Sequence, residues 1–450
     1  MWCAIDLCLL VVSGFALAAG LARRASRLEI AALTLCIGPG VIGFCLLLFS
    51  MLGLRPNRIE ILILSAALAA AGIAVWKTSR FEVEQNSGAA RIPSWWIVIC
   101  CCAIGYGFIS IAVDALYYPI VEWDAFAIWQ LKAQVLAIFP LHPLPSYFTD
   151  LALSYSHLRY PLLAPMISAQ MHAMTGRIDD LGKTVSLLFY PGMCLAVFAA
   201  VRRVTGSFAA LTVTALLACA EPICRYGSTG TAELPLTAFY ACSLLCMLRW
   251  RENRQIGYLV LTAILSGWMA WTKNEGLALA AINAVVIALS GPKELRRQSL
   301  AAAAGFAAVV AIIYLPWIIF SWGLPRSDED YAGRFASLQL LHSFGRLGRI
   351  FLGIGQGLID WENWGIFWII LVMLAIVERR QFRNPRAAFI GTLLLLHLLA
   401  YIPAFMVTNW NLDELFGVTI DRLLMHAAPA AAILMGFLWP AWAGRTNATG

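Results

Sequence analysis

The sequence of 450 residues has little charge. Only 13% of its residues are Asp, Glu, Lys or Arg, whereas 61% are hydrophobic. A soluble chain of this length would form about three domains and would carry about twice that share of charge. The apolar runs are about 20 residues long, which is the length of a membrane-spanning helix and too long for the alternating strands of a transmembrane barrel. We therefore expect an all-α polytopic membrane protein and exclude a cytosolic enzyme.

The sequence also lacks the spacings that metal sites, disulfide frameworks and nucleic-acid surfaces need. It has no CxxC pair, and nearly all of its 12 cysteines lie inside apolar runs, where they serve as small packing residues. Its 6 histidines show no HxxxH or HExxH spacing, so we predict no zinc site. The basic residues form no stripe with interleaved aromatic residues, which argues against a nucleic-acid partner.

Apolar runs long enough to cross a bilayer recur along the chain, and short basic clusters separate several of them. If the N-terminus lies outside, most Lys and Arg residues fall on the inner side and most acidic residues on the outer side, as the positive-inside rule requires. We predict about thirteen transmembrane helices, at 2–22, 29–53, 59–77, 94–116, 180–201, 206–224, 232–249, 255–272, 276–291, 299–320, 364–378, 387–407 and 421–440.

Two long outer loops, 117–180 and 321–363, are rich in Trp, Tyr, Pro and charged residues, and long ordered loops often carry function. Within the first loop, residues 160–176 are apolar but short, and they contain Pro161 and Pro165. Counting them as a span would place the basic pair Arg202 and Arg203 outside. We therefore expect a juxtamembrane helix that lies along the outer membrane face.

Two carboxylates stand near the start of the first outer loop, Glu122 and Asp124 in the sequence YYPIVEWDAFAIWQLKA. A desolvated carboxylate at the membrane surface can take a proton from a hydroxyl group. The alternative is that both are ordinary solvated acids in an interfacial aromatic belt. Lys132 follows Asp124 by eight residues, a spacing that puts the two side chains on one helical face two turns apart.

Other ionisable residues stand at the ends of predicted spans, where an apolar setting makes each cost about 2.5 to 3.5 kcal/mol. Glu233 is either a helix N-terminal carboxylate held by backbone N–H groups or an acid near the substrate. Lys273 and Glu275 form either a salt bridge at a helix end or a site with a cation aimed at a lipid phosphate. Arg422 and His426 share a helix face and act either as a phosphate clamp with a proton donor or as a headgroup anchor.

Residues 123–133, WDAFAIWQLKA, followed by residues 157–176, HLRYPLLAPMISAQMHAMTG, resemble the GT-C superfamily of polyprenyl-phosphate-sugar-dependent glycosyltransferases. The nearest branch contains the protein mannosyltransferases and the lipid A aminoarabinose transferases. In that branch a Tyr-Pro motif opens a juxtamembrane helix, a basic pair follows the next span, and a second acid lies in the next outer loop. The corresponding residues here are Tyr160-Pro161, Arg202-Arg203 and Glu233, although the family often has Asp at the last position.

The resemblance extends over roughly residues 95–322 and implies a GT-C-like bundle in three parts. Residues 1–93 supply three extra N-terminal transmembrane helices, residues 94–322 form the catalytic core with the first outer loop, and residues 323–450 hold the second outer loop and the last helices. It further implies a multi-pass protein of the inner membrane whose active site faces the periplasm or exterior. The donor that the resemblance implies is a polyprenyl-phosphate sugar, and the implied acceptor is an envelope glycan, lipid or protein.

The resemblance also implies roles for individual residues. Asp124 is the general base of an inverting displacement and Glu233 is a second acid at the reacting centre, while the substrate-binding residues are Glu122, Lys132, Arg159, Tyr160, Lys273, Glu275, Arg422 and His426. We assign no metal ligand and no certain cofactor, although the resemblance is compatible with a divalent metal because some relatives use one. The rival function is a transporter or flippase of lipid-linked sugars, for which we find no internal inverted repeat.

Overall fold

The computed structural model describes residues 1–77, 92–291, 296–325, 333–334 and 343–439. Over these residues the chain forms helices joined by short turns and contains no β-strand. The all-α prediction is therefore confirmed, and it follows from the long uninterrupted apolar runs, since a helix satisfies all of its backbone hydrogen bonds within one segment.

The helices lie close to the predicted ranges. In chain order they are α1 Trp2–Leu21, α2 Arg27–Met51, α3 Arg58–Trp76, α4 Ser94–Tyr117, α5 Leu131–Ile138, α6 Leu163–Thr175, α7 Ser186–Thr205, α8 Ser207–Ala218, α9 Glu221–Ser228, α10 Glu233–Asn253, α11 Ile256–Thr272, α12 Asn274–Leu289, α13 Arg296–Trp322, α14 Leu347–Leu358, α15 Trp361–Trp364, α16 Phe367–Val377, α17 Pro385–Val407 and α18 Leu412–Leu438. A π-helix, Ala125–Gln130, precedes α5, and short 3₁₀ segments complete the first outer loop.

Eight of the described helices are long and apolar enough to cross a membrane, or nine if α8 and α9, which are bent by 58°, form one span. Each of the predicted ranges contains a helix, so the chain is a multi-pass membrane protein. However, α11, α12 and α16 have only 17, 16 and 11 residues. A straight span needs about 20 residues, so these three helices are shorter than the sequence pattern suggested.

The N-terminal helices pack closely because small residues face each other. A Cβ atom on Gly14 of α1 would overlap the backbone of Thr34 and Gly38 on α2, and a Cβ atom on Gly38 would overlap the carbonyl group of Leu10. Only glycine permits the two backbones to approach this far, which is a common device in membrane helix pairs. In turn α2 packs against α6, α7 and α10, so the N-terminal helices form part of one continuous core.

Two helices form the centre of the bundle. Every residue of α10 from 233 to 250 is buried, as is every residue of α18 from 423 to 438. The two helices contact each other, and α7 packs against both. The buried stretch of α10 therefore begins at Glu233, and that of α18 begins just after Arg422.

The helix predicted in the first outer loop is present as α6. Of its 13 residues, 11 are buried, and it packs mainly against α2, α5 and the 3₁₀ segment Asp180–Val185. Protein therefore covers most of its surface, and only a small part of it is left to contact lipid.

Candidate active site

Four separate segments bring ionisable side chains together at the predicted outer end of the bundle. Lys273 Nζ lies 3.0 Å from Glu233 Oε1 and 3.0 Å from Glu275 Oε1. Arg422 Nη1 lies 3.6 Å from the same Glu233 oxygen and also forms an ion pair with Asp124 Oδ2. We call these five residues the acid–base cluster. All five were predicted from the sequence, which also offered the salt bridge between Lys273 and Glu275, whereas the other pairings are visible only in the folded chain.

Burial is graded across the cluster. The side chain of Glu233 is 0% exposed and that of Lys273 is 9% exposed. Arg422, Glu275 and Asp124 are more accessible, with exposed fractions of 15%, 27% and 29%. A ligand that approaches from solvent therefore meets these three side chains first, while Glu233 and Lys273 form the closed inner end.

Lys273 reaches Glu233 because the chain breaks between α11 and α12. Lys273 has extended backbone angles, φ −158° and ψ 153°, so α11 ends there and α12 begins at the next residue. Gly276 then lies against α11, where a Cβ atom would overlap the carbonyl group of Met269. The small residue lets the new helix start directly beside the old one and leaves the lysine at the junction.

His426 lies one helical turn below Arg422 on α18, as the spacing predicted. Its side chain is fully buried, and neither ring nitrogen has a hydrogen-bond partner among the described residues. It is close enough to Glu233 and Lys273 for their charges to act on it. Its predicted role as a proton donor remains a prediction.

Glu122 lies beside the cluster in the loop that follows α4. Burial raises the pKa of its carboxyl group above the ordinary value of 4.5, and the negative charge of Glu233 acts in the same direction. The guanidinium groups of Arg225 and Arg422 oppose this shift. A carboxylate whose pKa moves toward neutrality is better matched to proton transfer, so Glu122 stays a candidate for the base beside Asp124.

Arg225 is a nearby cation that the sequence analysis missed. It lies on α9, 3.8 Å from Glu221 Oε1, and its side chain is 50% exposed. It borders a groove of about 830 Å³ that runs along α4 past Tyr106, Ile109 and Val113. The sequence does contain a feature that could have identified Arg225. It is a basic residue just beyond the predicted span 206–224, on the predicted outer side, where few cations are expected.

Three predicted substrate-binding residues, Lys132, Tyr160 and Arg159, make their contacts outside the acid–base cluster. Lys132 is buried and donates a hydrogen bond to the Ser156 carbonyl oxygen, and burial lowers the pKa of its ammonium group. The expected helical face shared with Asp124 is interrupted, because Ala125–Gln130 winds as a π-helix. The Tyr160 ring stacks on the ring of His157 at a centroid distance of 4.6 Å.

Arg159 connects the first outer loop to the end of α13. Its Nε donates to the Leu324 carbonyl oxygen at 2.9 Å, and its Nη2 donates to the Trp322 carbonyl oxygen at 3.2 Å. Lys132, Tyr160 and Arg159 thus hold the outer loop together in this structure, and direct substrate contact by any of them remains a prediction.

The carboxylates of the cluster are not arranged as metal ligands. Within the described ranges, no group of three or more His, Cys, Asp or Glu side chains has an arrangement that could hold a metal ion. Asp124, Glu233 and Glu275 each face a lysine or arginine instead. These carboxylates are therefore neutralised by protein cations and do not form an open set of oxygen ligands, so we derive no step through a metal.

The fold and this cluster define a polytopic membrane protein with a polar centre at one end of its helical bundle. Residues 159–320 match the family model described as dolichyl-phosphate-mannose-protein mannosyltransferase. The matched range includes Glu233, Lys273 and Glu275, and the match confirms over these residues the resemblance drawn from the sequence. No curated protein matches the chain.

The solved structures to which this chain is similar include two proteins. One is the oligosaccharyltransferase AglB from Archaeoglobus fulgidus, in complex with an inhibitory peptide and a dolichol-phosphate, with 12% identity over 77% of this chain and 50% of that chain and a TM-score of 0.48. The other is ArnT from Cupriavidus metallidurans bound to undecaprenyl phosphate, with 16% identity over 77% of this chain and 60% of that chain and a TM-score of 0.49. The aligned part is thus between half and three fifths of the length of these chains.

Proposed function

We propose that this protein is a membrane glycosyltransferase that moves a sugar from a polyprenyl-phosphate donor to an envelope glycan, lipid or protein. The observation that carries the proposal is the acid–base cluster, in which a partly accessible arginine faces a carboxylate at one end of a membrane bundle. An arginine suits a lipid phosphate, and a carboxylate suits the acceptor hydroxyl group. The match to a mannosyltransferase family over residues 159–320 supports the same class of reaction.

In this proposal, Arg422 exchanges partners when the donor binds. Its guanidinium group pairs with Asp124 in the structure, and the donor phosphate would compete for the same group. Asp124 then loses its ion-pair partner, and its carboxylate is free to accept the proton of the acceptor hydroxyl group. Donor binding would thus prepare the base for its reaction.

The transfer step is a direct displacement. The acceptor oxygen forms a bond to the anomeric carbon, its proton passes to Asp124, and the bond from that carbon to the phosphate oxygen breaks. The lipid phosphate leaves with the electron pair, and Arg422 stabilises the charge that develops on it. A single displacement inverts the anomeric configuration.

Lys273 has a supporting part in this proposal. Its ammonium group lies behind Glu233 and pairs with both Glu233 and Glu275, so it is less accessible to a ligand than Arg422. It neutralises Glu233, and Glu233 in turn holds Arg422 at 3.6 Å. We expect Lys273 to position the arginine rather than to grip the phosphate itself.

The groove along α4 is our candidate for the carrier chain of the donor. Its wall contains Ile109 and Val113, and Tyr106 lies at its side. These side chains are 61%, 42% and 64% exposed, so the groove is open along its length. An isoprenoid chain would cover this apolar surface, and Arg225 would lie near its phosphate end.

Transfer by purified protein in detergent tests the function. Asp124→Asn should lower the transfer rate from a polyprenyl-phosphate sugar by about 10² to 10⁴, the effect of losing a general base. Glu122→Gln is the parallel variant, and Asp413→Asn is the matched control, since Asp413 is an exposed carboxylate that pairs with Arg349. Near-normal transfer by Asp124→Asn together with loss in Glu122→Gln would move the base to Glu122.

The same preparation separates an enzyme from a flippase. Detergent leaves no second compartment, so a flippase forms no product there, whereas an enzyme releases polyprenyl phosphate and a glycosylated acceptor. If the donor stays intact across a panel of acceptors and yet is scrambled by the protein in vesicles, the proposal of catalysis is overturned in favour of transport.

A further inference from the structure

A second cleft lies at the opposite end of the bundle from the acid–base cluster. It has a volume of about 740 Å³ and is bordered by the end of α10, the end of α12 and the start of α17. Glu233 begins α10, and Arg254 follows its last residue; a helix of 21 residues is about 30 Å long. The two sites are thus separated by about the thickness of a membrane core, and the cleft faces the side predicted to be cytoplasmic.

Positive charge dominates one side of this cleft. Arg251, Arg254 and Arg386 line it, and Glu252 is the acidic residue among the lining side chains. Arg386 Nη2 lies 3.3 Å from Glu252 Oε1, and Arg203 Nε lies 2.8 Å from Glu252 Oε2. Arg249 Nη1 also lies 3.6 Å from Glu252 Oε2, so Glu252 is already shared among three arginines.

Arg251 and Arg254 have contacts that leave their charge unbalanced. Arg251 donates to the Pro385 carbonyl oxygen at 2.6 Å and lies 4.8 Å above the Phe389 ring. Arg254 lies 4.6 Å above the Trp250 ring. In the part of the chain that the structure describes, neither of them has a carboxylate oxygen within ion-pairing distance. Aromatic faces and a carbonyl group orient these guanidinium groups without neutralising them.

The other side of the cleft is apolar. Leu248, Val286, Leu289, Ala388 and Phe389 form this wall. Leu289 is 64% exposed, so the wall continues onto the outer surface of the bundle, where lipid chains would run. A cleft with unbalanced arginines on one side and an open apolar wall on the other fits an anionic amphiphile better than a soluble anion.

We propose that this cleft binds an anionic phospholipid, with its phosphate group at Arg251 and Arg254 and an acyl chain along the apolar wall. A guanidinium group can donate two parallel hydrogen bonds to two oxygens of one phosphate group. The first turn of α17 lies beside these arginines, and the positive end of its helix dipole also favours an anion. Basic pockets between helices on the cytoplasmic side of membrane proteins bind lipids of this class. The proposal does not depend on the proposed glycosyltransfer.

Native mass spectrometry of the full chain after removal of lipid tests the site. Phosphatidylglycerol should bind, and phosphatidylcholine should bind much more weakly, because its choline group would face the arginines. Arg251→Gln combined with Arg254→Gln should weaken binding of phosphatidylglycerol about tenfold or more. The matched control is Arg379→Gln combined with Arg380→Gln, which removes the same charge from exposed residues outside the cleft and should leave binding unchanged.

A steric variant separates the cleft from general surface charge. Ala388→Trp fills the apolar wall and keeps every arginine, and it should also weaken phosphatidylglycerol binding. This variant keeps the proposal testable if the arginine variant does not fold. Unchanged binding in Ala388→Trp, or equal loss in the control pair of exposed arginines, would overturn the proposal.

Competition identifies the ligand class. Inorganic phosphate should not displace phosphatidylglycerol at equal concentration, because it leaves the apolar wall uncovered. Displacement by inorganic phosphate would reduce the cleft to an anion site and overturn the lipid assignment. Tighter binding of a polyprenyl phosphate than of phosphatidylglycerol would likewise overturn it, in favour of a second carrier-lipid site.

Discussion

Replacing Lys273 by methionine should strongly destabilise the fold, because it removes the nearest cation from the buried carboxylate of Glu233. The substitution keeps a long apolar side chain and removes the ammonium group 3.0 Å from Glu233 Oε1. Among the ion pairs of the described residues, Glu233, which is 0% exposed, then keeps the one with Arg422 Nη1 at 3.6 Å. Two charges 3.0 Å apart interact by about 5 kcal/mol at an effective dielectric constant of about 20, and breaking buried pairs costs about 3 to 5 kcal/mol. We expect a loss of about 3 kcal/mol, because Arg422 remains.

Glu233→Gln should cost less than Lys273→Met. After this change Lys273 keeps Glu275 at 3.0 Å, and Arg422 keeps Asp124, so each cation still has a carboxylate partner. We expect a loss of about 1.5 to 2 kcal/mol, the lower end of the range for one hydrogen bond to a charged group. The double variant removes the carboxylate that Lys273→Met leaves uncompensated. It should therefore be more stable than the single Lys273→Met variant.

Unfolding in detergent by a denaturing surfactant, followed by helical circular dichroism, measures these differences. Asp413→Asn is the control, because Asp413 pairs with Arg349 in an ion pair that is more than half exposed and worth about 0 to 1 kcal/mol. Additive losses for Lys273→Met and Glu233→Gln, within about 0.5 kcal/mol, would refute the coupling of the pair. A larger loss of unfolding free energy in Glu233→Gln than in Lys273→Met would refute the claim that Lys273→Met leaves the Glu233 carboxylate without enough compensating charge.

Two further predictions concern Glu122 and the topology. The raised pKa of Glu122 means that the folded protein holds this proton more tightly than the unfolded chain, so stability should fall as the pH rises from the ordinary value of 4.5 through the raised pKa. The melting temperature, measured as a function of pH, should show this fall in the unsubstituted protein and not in Glu122→Gln. An identical pH profile in the two proteins would contradict the raised pKa of Glu122. In intact cells, Asp150→Cys should react with an impermeant thiol reagent beyond the labelling of the unsubstituted chain, and Arg383→Cys should not. The opposite labelling pattern would invert the topology.

Hydrophobic runs predicted most of the fold because membrane helices are local structures. Each apolar run satisfies its own backbone hydrogen bonds when it is helical, so an α-helix forms wherever the run is long enough. The burial and the length of individual helices were less predictable from the sequence. The juxtamembrane helix α6 is covered by protein, and α11 and α12 are short because a lysine breaks the chain between them.

The candidate site was predictable as a set of residues. Ionisable groups are costly in an apolar setting, so Glu233, Lys273 and Arg422 stood out at the ends of their spans. Asp124 stood out through the resemblance to a glycosyltransferase superfamily. The same reasoning also selected Lys132, whose contacts lie in the outer loop, and it passed over Arg225 beside the groove.

Only the tertiary structure decided which of these charges meet. Asp124 and Arg422 are 298 residues apart in sequence, and Glu233 and Lys273 are 40 residues apart. No local period relates such positions, because their contact depends on how α10, α11 and α18 pack. Packing also decided that Glu233 is fully buried between two cations while Asp124 stays accessible. By itself the sequence determined the helices and the residues able to do chemistry. Long-range packing determined their partners, because the energy of a charge depends on what surrounds it.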